Sequence, residues 1–166
     1  MKMKNILIFF ISSMMFIFSC RALFDEKLTL LRKDYTGNEL RTDGYYYVSR
    51  QENHSAVYFL YRNGIVLFVG GYSDNFEEKM VNYKAKSKSD WGVFIVDGNF
   101  IQYEKWIGST GISACLSKST GHILNDTTIH FTERYNSEYK TTRSIDEVWH
   151  FKQFSPKPDS TNNIIK

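Results

Sequence analysis

From residue 45 to residue 154 the chain alternates short runs of Val, Ile, Tyr, Phe and Thr with turn residues, a pattern typical of β-strands. The runs that we interpret as strands are 45–50, 56–62, 65–69, 91–96, 99–107, 121–124, 127–135 and 147–154. Because consecutive strands usually pair with one another, this order favours a meander of antiparallel hairpins.

Three pairs of turn residues mark the hairpins of this meander. Asn63-Gly64, Asp97-Gly98 and Asn125-Asp126 each separate two strand-like runs. A two-residue type I′ turn needs a positive φ at both central positions, and asparagine, aspartate and glycine adopt that conformation most readily. We therefore expect tight hairpins at these three places.

Alternation within the runs divides the buried face from the exposed one. In 128–135 we expect Ile129, Phe131 and Tyr135 on the buried face. The opposite, solvated face then carries the polar residues Thr128, His130, Thr132 and Arg134. The hairpin of 56–62 and 65–69 is apolar on both faces, so another element should cover its outer side.

A candidate for that cover lies between the first and second hairpins. Asp74 and Glu77 have the spacing of a helix capping box. Phe76, Met80 and Tyr83 follow at positions i, i+4 and i+7, which share one face of a helix. The pattern predicts one short helix near residues 75–86.

Eight or so short strands, abundant aromatic residues and one helix fit a small antiparallel up-and-down β-barrel, lipocalin-like in shape. A two-layer β-sandwich is the alternative. With 166 residues, 42% of them hydrophobic, the chain has the size of one globular domain. We place the β domain at 41–154, after a leader and tether at 20–40. Both prolines fall in 155–166, which we expect to be a flexible C-terminal tail.

The first residues have the features of a targeting segment. Lys2 and Lys4 precede Ile6–Phe18, an apolar run of 13 residues that only two serines interrupt. As a helix this run would span about 20 Å at ~1.5 Å per residue, against a bilayer core of ~30 Å. It is too short for a transmembrane anchor and has the length of a signal-peptide core. Ile17-Phe18-Ser19-Cys20 forms its end.

This N-terminus resembles the signal peptide of bacterial lipoproteins, which carries an aliphatic residue three positions before a cysteine and a small residue directly before it. The resemblance covers residues 1–20 only. It implies that residues 1–19 are removed and that a lipid is attached to the thiol of Cys20. Two acyl chains suffice for stable anchoring where one is marginal. Such proteins stay in the inner membrane when aspartate follows the cysteine, so Arg21 implies the outer membrane of the cell envelope.

Two alternatives to lipidation stay open. Residues 1–19 could be an ordinary secretory signal or an uncleaved anchor, with Cys20 incidental. Cys20 could instead form a disulfide with Cys115, the second of the chain's 2 cysteines. That disulfide excludes lipidation, because both use the same sulfur.

Charge and motifs argue against several functions. The 21 basic residues fall to 19 without Lys2 and Lys4, against 18 acidic residues, which is no basis for nucleic-acid binding. The sequence contains no zinc-protease, nucleophile-elbow, phosphate-loop or EF-hand motif. We therefore expect a protein without a cofactor that is not an enzyme. A hydrolase-type enzyme is the least favoured alternative, and it would need a pocket built from His130, His150, Glu104 or Asp146.

Aromatic strand residues are the more useful indication of a site, because an eight-stranded barrel either is filled or holds one small ligand. The candidate pocket residues are Trp91, Tyr103, Trp106, His130, Trp149 and His150. The spacing of the histidines His54, His122, His130 and His150 does not require a metal, and we assign none. We expect a lipid-anchored envelope protein that binds a small apolar ligand or a partner protein. The alternative is a structural or assembly accessory of the envelope without a small ligand.

Overall fold

In a computed structural model, eight antiparallel strands close into one barrel in which each strand pairs with its neighbours in sequence and β1 pairs with β8. The structure describes residues 26–51, 54–70, 76–108 and 114–166, without the side chains of 49–51, 54 and 55. The strands are β1 Gly44–Gln51, β2 His54–Leu60, β3 Ile65–Val69, β4 Trp91–Asp97, β5 Phe100–Gly108, β6 Ala114–Asn125, β7 Thr128–Asn136 and β8 Thr141–Gln153. The expected up-and-down barrel is confirmed, and its closure excludes the two-layer sandwich.

The hairpin turns lie at or next to the expected residues, but they are not the expected type I′ turns, because Asn63, Asn99 and Asp126 lack the positive φ that this type requires. Gly64 and Gly98 have positive φ values of 76° and 58°, a conformation that glycine adopts without strain. The second turn is made by Gly98-Asn99, one residue later than expected, because Asp97 still pairs with Phe100. Strand β6 begins at Ala114 and β8 at Thr141, well before the apolar runs that identified them.

Alternate residues of the strands point into the barrel, where large side chains fill the middle and one end. The fully buried members are Leu40, Tyr46, Tyr58, Leu60, Phe94, Ile101, Tyr103, Ile129, Phe131 and Trp149. The intervening residues face outward. Several of these are also buried, because other segments of the chain cover one side of the barrel.

One of these covering segments is the helix α1, Phe76–Met80. The Phe76 ring packs edge-on against Tyr45 with centroids 5.6 Å apart. Glu77 accepts a hydrogen bond from the Tyr45 hydroxyl at 2.9 Å and forms an ion pair with Lys152 at 2.8 Å. The expected short helix is confirmed, although it ends earlier than 86. Its proposed cap, Asp74, lies outside the described residues.

The N-terminal leader forms a second cover across the outside of β5. We call residues 26–32 the strap. Trp106 donates its indole N–H to the carbonyl oxygen of Glu26 at 2.7 Å. The carboxylate of Glu104, only 2% exposed, accepts hydrogen bonds from the backbone N–H groups of Thr29 and Leu30 at 2.6 and 2.9 Å. These bonds fix the strap on the barrel, in a stretch that we expected to act in part as a tether.

The C-terminal segment also packs against the barrel, where we expected a flexible tail. The Lys157 ammonium donates to the carbonyl oxygens of Thr42 and Leu60 at 2.6 and 2.8 Å. Tyr61 donates its hydroxyl to the Pro158 carbonyl at 2.7 Å. Ile165 is buried against the outer apolar cluster. The outer apolar cluster of the barrel is therefore covered by α1, the strap and the C-terminal segment.

Among the described residues, the helices lack the length and apolar character that a membrane span requires.

Candidate functional site

A break in the alternation of β7 turns a charged side chain into the barrel. Phe131 pairs with Gly121 of β6 but Glu133 pairs with Thr120, so β7 holds one extra residue in this interval. Such a bulge reverses which later residues face inward. Arg134 lies opposite Ser119, a buried inward residue, and donates to its hydroxyl at 3.0 Å. The expectation that Arg134 lies on the solvated face is wrong.

Arg134 forms a two-pronged ion pair with Glu147 inside the barrel. Its two terminal nitrogens lie 3.1 and 2.7 Å from the two carboxylate oxygens of Glu147. The two side chains are 13% and 17% exposed. Burial lowers the pKa of the Arg134 guanidinium, but Tyr103, Glu147 and Tyr58 more than offset this effect, so the pKa lies above its usual value. The guanidinium therefore stays charged at any physiological pH.

Lys105, on β5, is a second inward cation in the same half of the barrel. It is 8% exposed, and its ammonium lies 3.9 Å from the centroid of the Phe68 ring. The ammonium also donates to the carbonyl oxygens of Ser89 and Trp106, at 3.4 Å each. A cation over an aromatic face gains about 1–2 kcal/mol when water is excluded. The ammonium of Lys105 is therefore in contact with an aromatic ring and with backbone carbonyl oxygens inside the barrel.

Four aromatic rings in mutual contact form a floor below these charges. Trp149 lies over Tyr58 with centroids 3.8 Å apart, and Tyr103 and Phe131 follow at 5.0 and 4.5 Å from Trp149. Trp149 is fully buried, and its indole N–H has no hydrogen-bond partner. A buried donor without a partner costs about 1–3 kcal/mol. The floor thus contains one polar group that the described protein residues do not satisfy.

We call the group of inward-facing polar residues above this floor, Lys105, Ser119, Arg134 and Glu147, the mouth. It lies in the half of the barrel where β5 ends and β6 begins. Arg143, exposed at the rim, pairs with Arg134 across β7 and β8 and so lies on the same face of the sheet. Among the described residues, the mouth and its rim carry the cations Lys105, Arg134 and Arg143 and the carboxylate of Glu147, and the rim turn adds Lys140 and Glu138. This surplus of cations favours an anionic group.

The opposite end of the barrel is closed by residues just before β1. Tyr35 packs against Phe94 with centroids 5.7 Å apart, and its hydroxyl accepts the backbone N–H of Leu40 at 2.7 Å. The Arg41 backbone N–H donates to the Asp126 carbonyl in the β6–β7 turn at 3.0 Å. A cavity of about 190 Å³ at this end is lined by residues of the segment before β1 and by Phe94, Ile95 and Val96 of β4. The segment before β1 therefore packs across this end of the barrel.

The structure brings together two of the six sequence-selected pocket residues. Tyr103 and Trp149 meet in the floor of the mouth. Trp91 and Trp106 lie on the outside of the barrel, buried under the strap and the β3–β4 connection. His130 and His150 also face outward.

His130 and His150 have partners that explain them without a ligand. His130 forms a 2.8 Å hydrogen bond with the exposed carboxylate of Asp146. The His150 ring packs against Tyr47 with centroids 6.0 Å apart. No group of three or more metal-binding side chains occurs within the ranges that the structure describes. Glu104 is committed to the strap, so the described residues do not combine these groups into a catalytic pocket.

Sequence reasoning missed Lys105, Arg134 and Glu147. Lys105 could have been found, because it shares the parity of Ile101 and Tyr103 on β5. Arg134 could not, because unbroken alternation places it outside. The buried charges are therefore visible only once the bulge of β7 is known.

The arrangement combines an aromatic floor, a buried and unpartnered N–H group and inward cations. Such a site suits binding of a molecule that has an apolar part and an acceptor or anionic part. A closed β-barrel with these aromatic clusters fits a binding-type protein. No family model, curated protein or solved structure matches this chain.

Proposed function

We propose that this chain is a lipid-anchored, non-enzymatic binding protein of a bacterial cell envelope, held by Cys20, and that its mouth binds a small ligand with an apolar body and an anionic head. The anchor rests on the resemblance of residues 1–20 to lipoprotein signal peptides. The ligand site rests on the residues of the mouth.

One observation supports the ligand site above the others: the barrel keeps a buried, unpartnered indole N–H of Trp149 beneath inward-facing charges. Placing charges inside a barrel costs several kcal/mol per ion before pairing, and an apolar filling avoids that cost. Polar groups retained at such a cost are frequent in binding sites. A ligand oxygen above the floor would accept a hydrogen bond from the indole N–H of Trp149, which has no partner among the described residues.

The aromatic floor limits what the mouth can hold. Tyr58, Tyr103, Phe131 and Trp149 occupy the centre of the barrel, so a ligand cannot run through to the closed end. The mouth therefore takes a small molecule or the end of a longer one.

A second candidate is an envelope accessory that acts through protein contacts alone. The filled centre of the barrel favours this alternative, because a packed interior needs no ligand for its stability. The two candidates differ in whether the mouth has an occupant.

The anchor is tested by the mass of the N-terminal peptide in protein purified from its host. We expect Cys20 to carry a diacylglyceryl group and Met1–Ser19 to be missing. Cys20→Ser should leave the protein uncleaved and unlipidated. Cys115→Ser, the matched control, should change neither. An unmodified Cys20, or a Cys20–Cys115 disulfide, would contradict the anchor.

The ligand site is tested by calorimetry with dodecanoate and dodecanol, which share an apolar chain and differ in charge. We expect dodecanoate to bind about tenfold more tightly, because about 1.4 kcal/mol separates a charge-assisted from a neutral hydrogen bond. Lys105→Met should remove that difference, whereas Lys33→Met, an exposed lysine near the closed end, should not. Equal binding of both probes by the unaltered protein would favour the accessory.

A further inference from the structure

The strap leaves the barrel at the mouth. At the start of the strap, the backbone N–H of Glu26 donates to the carbonyl oxygen of Ala114, the first residue of β6, at 3.2 Å. Trp106, two residues before the end of β5, holds the carbonyl of the same residue. Glu104 accepts the backbone N–H groups of Thr29 and Leu30, which holds the following residues of the strap on β5. The path from residue 26 towards the N-terminus therefore starts beside the rim of the mouth.

Few residues separate this point from the proposed anchor. Cys20 precedes Glu26 by six positions in the sequence. An extended chain covers at most about 3.3–3.6 Å per residue, so the anchor lies within about 20 Å of the rim. The closed end lies roughly 20 Å farther away, because the 9 residues of β7 rise about 3.3 Å each along a tilted strand. The anchor thus holds the rim nearer to the bilayer.

Charge is distributed along the same axis. Lys84 and Lys86 are exposed in the segment that leads into β4, and Lys88 lies over the Trp106 ring at 4.4 Å. Arg143 is exposed at the rim. The closed end carries the exposed carboxylates Asp34, Glu39, Asp43, Asp97 and Asp126, which its cations Arg32, Lys33, Arg41 and Arg62 nearly balance. An anionic surface therefore attracts the mouth end more strongly than the closed end.

We infer that the mouth end of the barrel is a membrane-docking surface that lies on the anionic lipid headgroups of the bilayer carrying the anchor. This inference rests on the proposed lipidation of Cys20. It also specifies the source of the ligand: a mouth held at the headgroup level meets lipids before it meets dissolved molecules. The closed end then faces away from the membrane.

Fluorescence quenching in reconstituted vesicles tests this orientation. The lipidated protein, with Cys115→Ser, carries a fluorophore either at Tyr139→Cys in the rim turn between β7 and β8 or at Asn99→Cys in the closed-end turn. Both positions are exposed. The vesicles contain phosphatidylglycerol and a lipid with a nitroxide on its headgroup. We expect quenching about threefold stronger at position 139, because surface attraction holds the rim at the headgroups and a nitroxide quenches only fluorophores close to it.

Paired charge variants give the matched control. Lys84→Gln with Lys86→Gln should lower the ratio of rim to closed-end quenching, and phosphatidylcholine vesicles should do the same. Arg32→Gln with Lys33→Gln, which removes the same charge near the closed end, should leave the ratio unchanged.

Two failures are distinguishable. A protein that carries lipid on Cys20 but shows equal quenching at both positions, or stronger quenching at position 99, overturns the docking surface and leaves the anchor intact. A protein without lipid on Cys20, found by mass, overturns both.

Discussion

At the scale of single residues, the molecule places charges where their surroundings are apolar. Arg134 and Glu147 are charges inside the barrel, and Lys157 of the C-terminal segment is a charge packed against its outside. Each charge is held by hydrogen bonds whose loss leaves a buried group without a partner. These residues therefore have effects on stability that can be separated from binding.

The Arg134–Glu147 pair is expected to be strongly coupled. Arg134→Met alone should lower the free energy of unfolding by about 3 kcal/mol, because it removes the two-pronged ion-pair partner of the largely buried Glu147 carboxylate. The double variant Arg134→Met with Glu147→Leu should lose far less than the sum of the single variants. Urea unfolding of the four proteins in this cycle measures the coupling, and additive losses would show that the pair does not act as a unit.

Lys157 gives a pH dependence with a defined sign. Burial lowers the pKa of its ammonium group to about 8, although the nearby Asp43 raises it in part. The unfolded chain then binds the proton more tightly than the folded protein, so stability rises as the pH increases from about 8 towards the ordinary lysine value of 10.5.

We expect the stability of the unaltered protein, relative to Lys157→Met, to increase by about 1–2 kcal/mol between pH 7 and pH 9.5. The upper limit of pH 9.5 keeps the tyrosines of the unfolded chain largely protonated. The exposed Lys33→Met variant serves as the control and should follow the unaltered protein. If the difference in unfolding free energy between the unaltered protein and Lys157→Met stays constant with pH, burial does not lower the pKa of Lys157.

At the scale of elements, the strap depends on one carboxylate. Glu104 accepts the backbone N–H groups of Thr29 and Leu30 and the hydroxyl of Thr29, the last at 2.9 Å. Glu104→Gln replaces one acceptor oxygen by an N–H donor that faces other donors. We expect a loss of about 2 kcal/mol in the free energy of unfolding.

The same variant should speed hydrogen exchange at the amides of Thr29 and Leu30 by about tenfold or more. The control is Glu133→Gln, on the exposed face of β7, which should change neither quantity. Unchanged exchange in Glu104→Gln would mean that the strap is held by its apolar contacts alone.

Some of these elements were predictable from the sequence and others were not. The barrel and its hairpins were predictable, because turn residues such as Asn63-Gly64 and clean alternation in β5 report local geometry. The inward position of Arg134 was not, since a bulge adds one residue without any marker in the sequence. The packed C-terminal segment was missed because its anchor, Lys157, is a polar residue that binds backbone carbonyls.

Tyr103 and Trp149 were selected for the site because large aromatic residues on strands are frequent in barrel interiors. The same rule also selected Trp91 and Trp106, which face outward beneath the strap and the β3–β4 connection. Alternation places Tyr103 and Trp106 on opposite faces of β5. It does not say which of the two faces inward, because both faces of this barrel are partly covered. Knowing which side of a strand is covered requires the tertiary structure.

At the scale of the whole molecule, the barrel has two unlike ends. The closed end is sealed by Tyr35 and Leu40 and carries exposed carboxylates. The mouth end carries inward cations, an unpartnered indole and the exit of the strap. A lipid on Cys20 would bring the second end to the membrane, so the anchor and the ligand site are parts of one arrangement.

Native mass spectrometry of the protein extracted gently from its host membrane tests this account most directly. We expect a covalent lipid on Cys20 and, in addition, a non-covalent anionic amphiphile that is released on unfolding. Lys105→Met should keep the covalent lipid and lose the amphiphile. A lipidated protein that carries no such molecule, and that binds none when dodecanoate is added, would contradict a ligand site in the mouth.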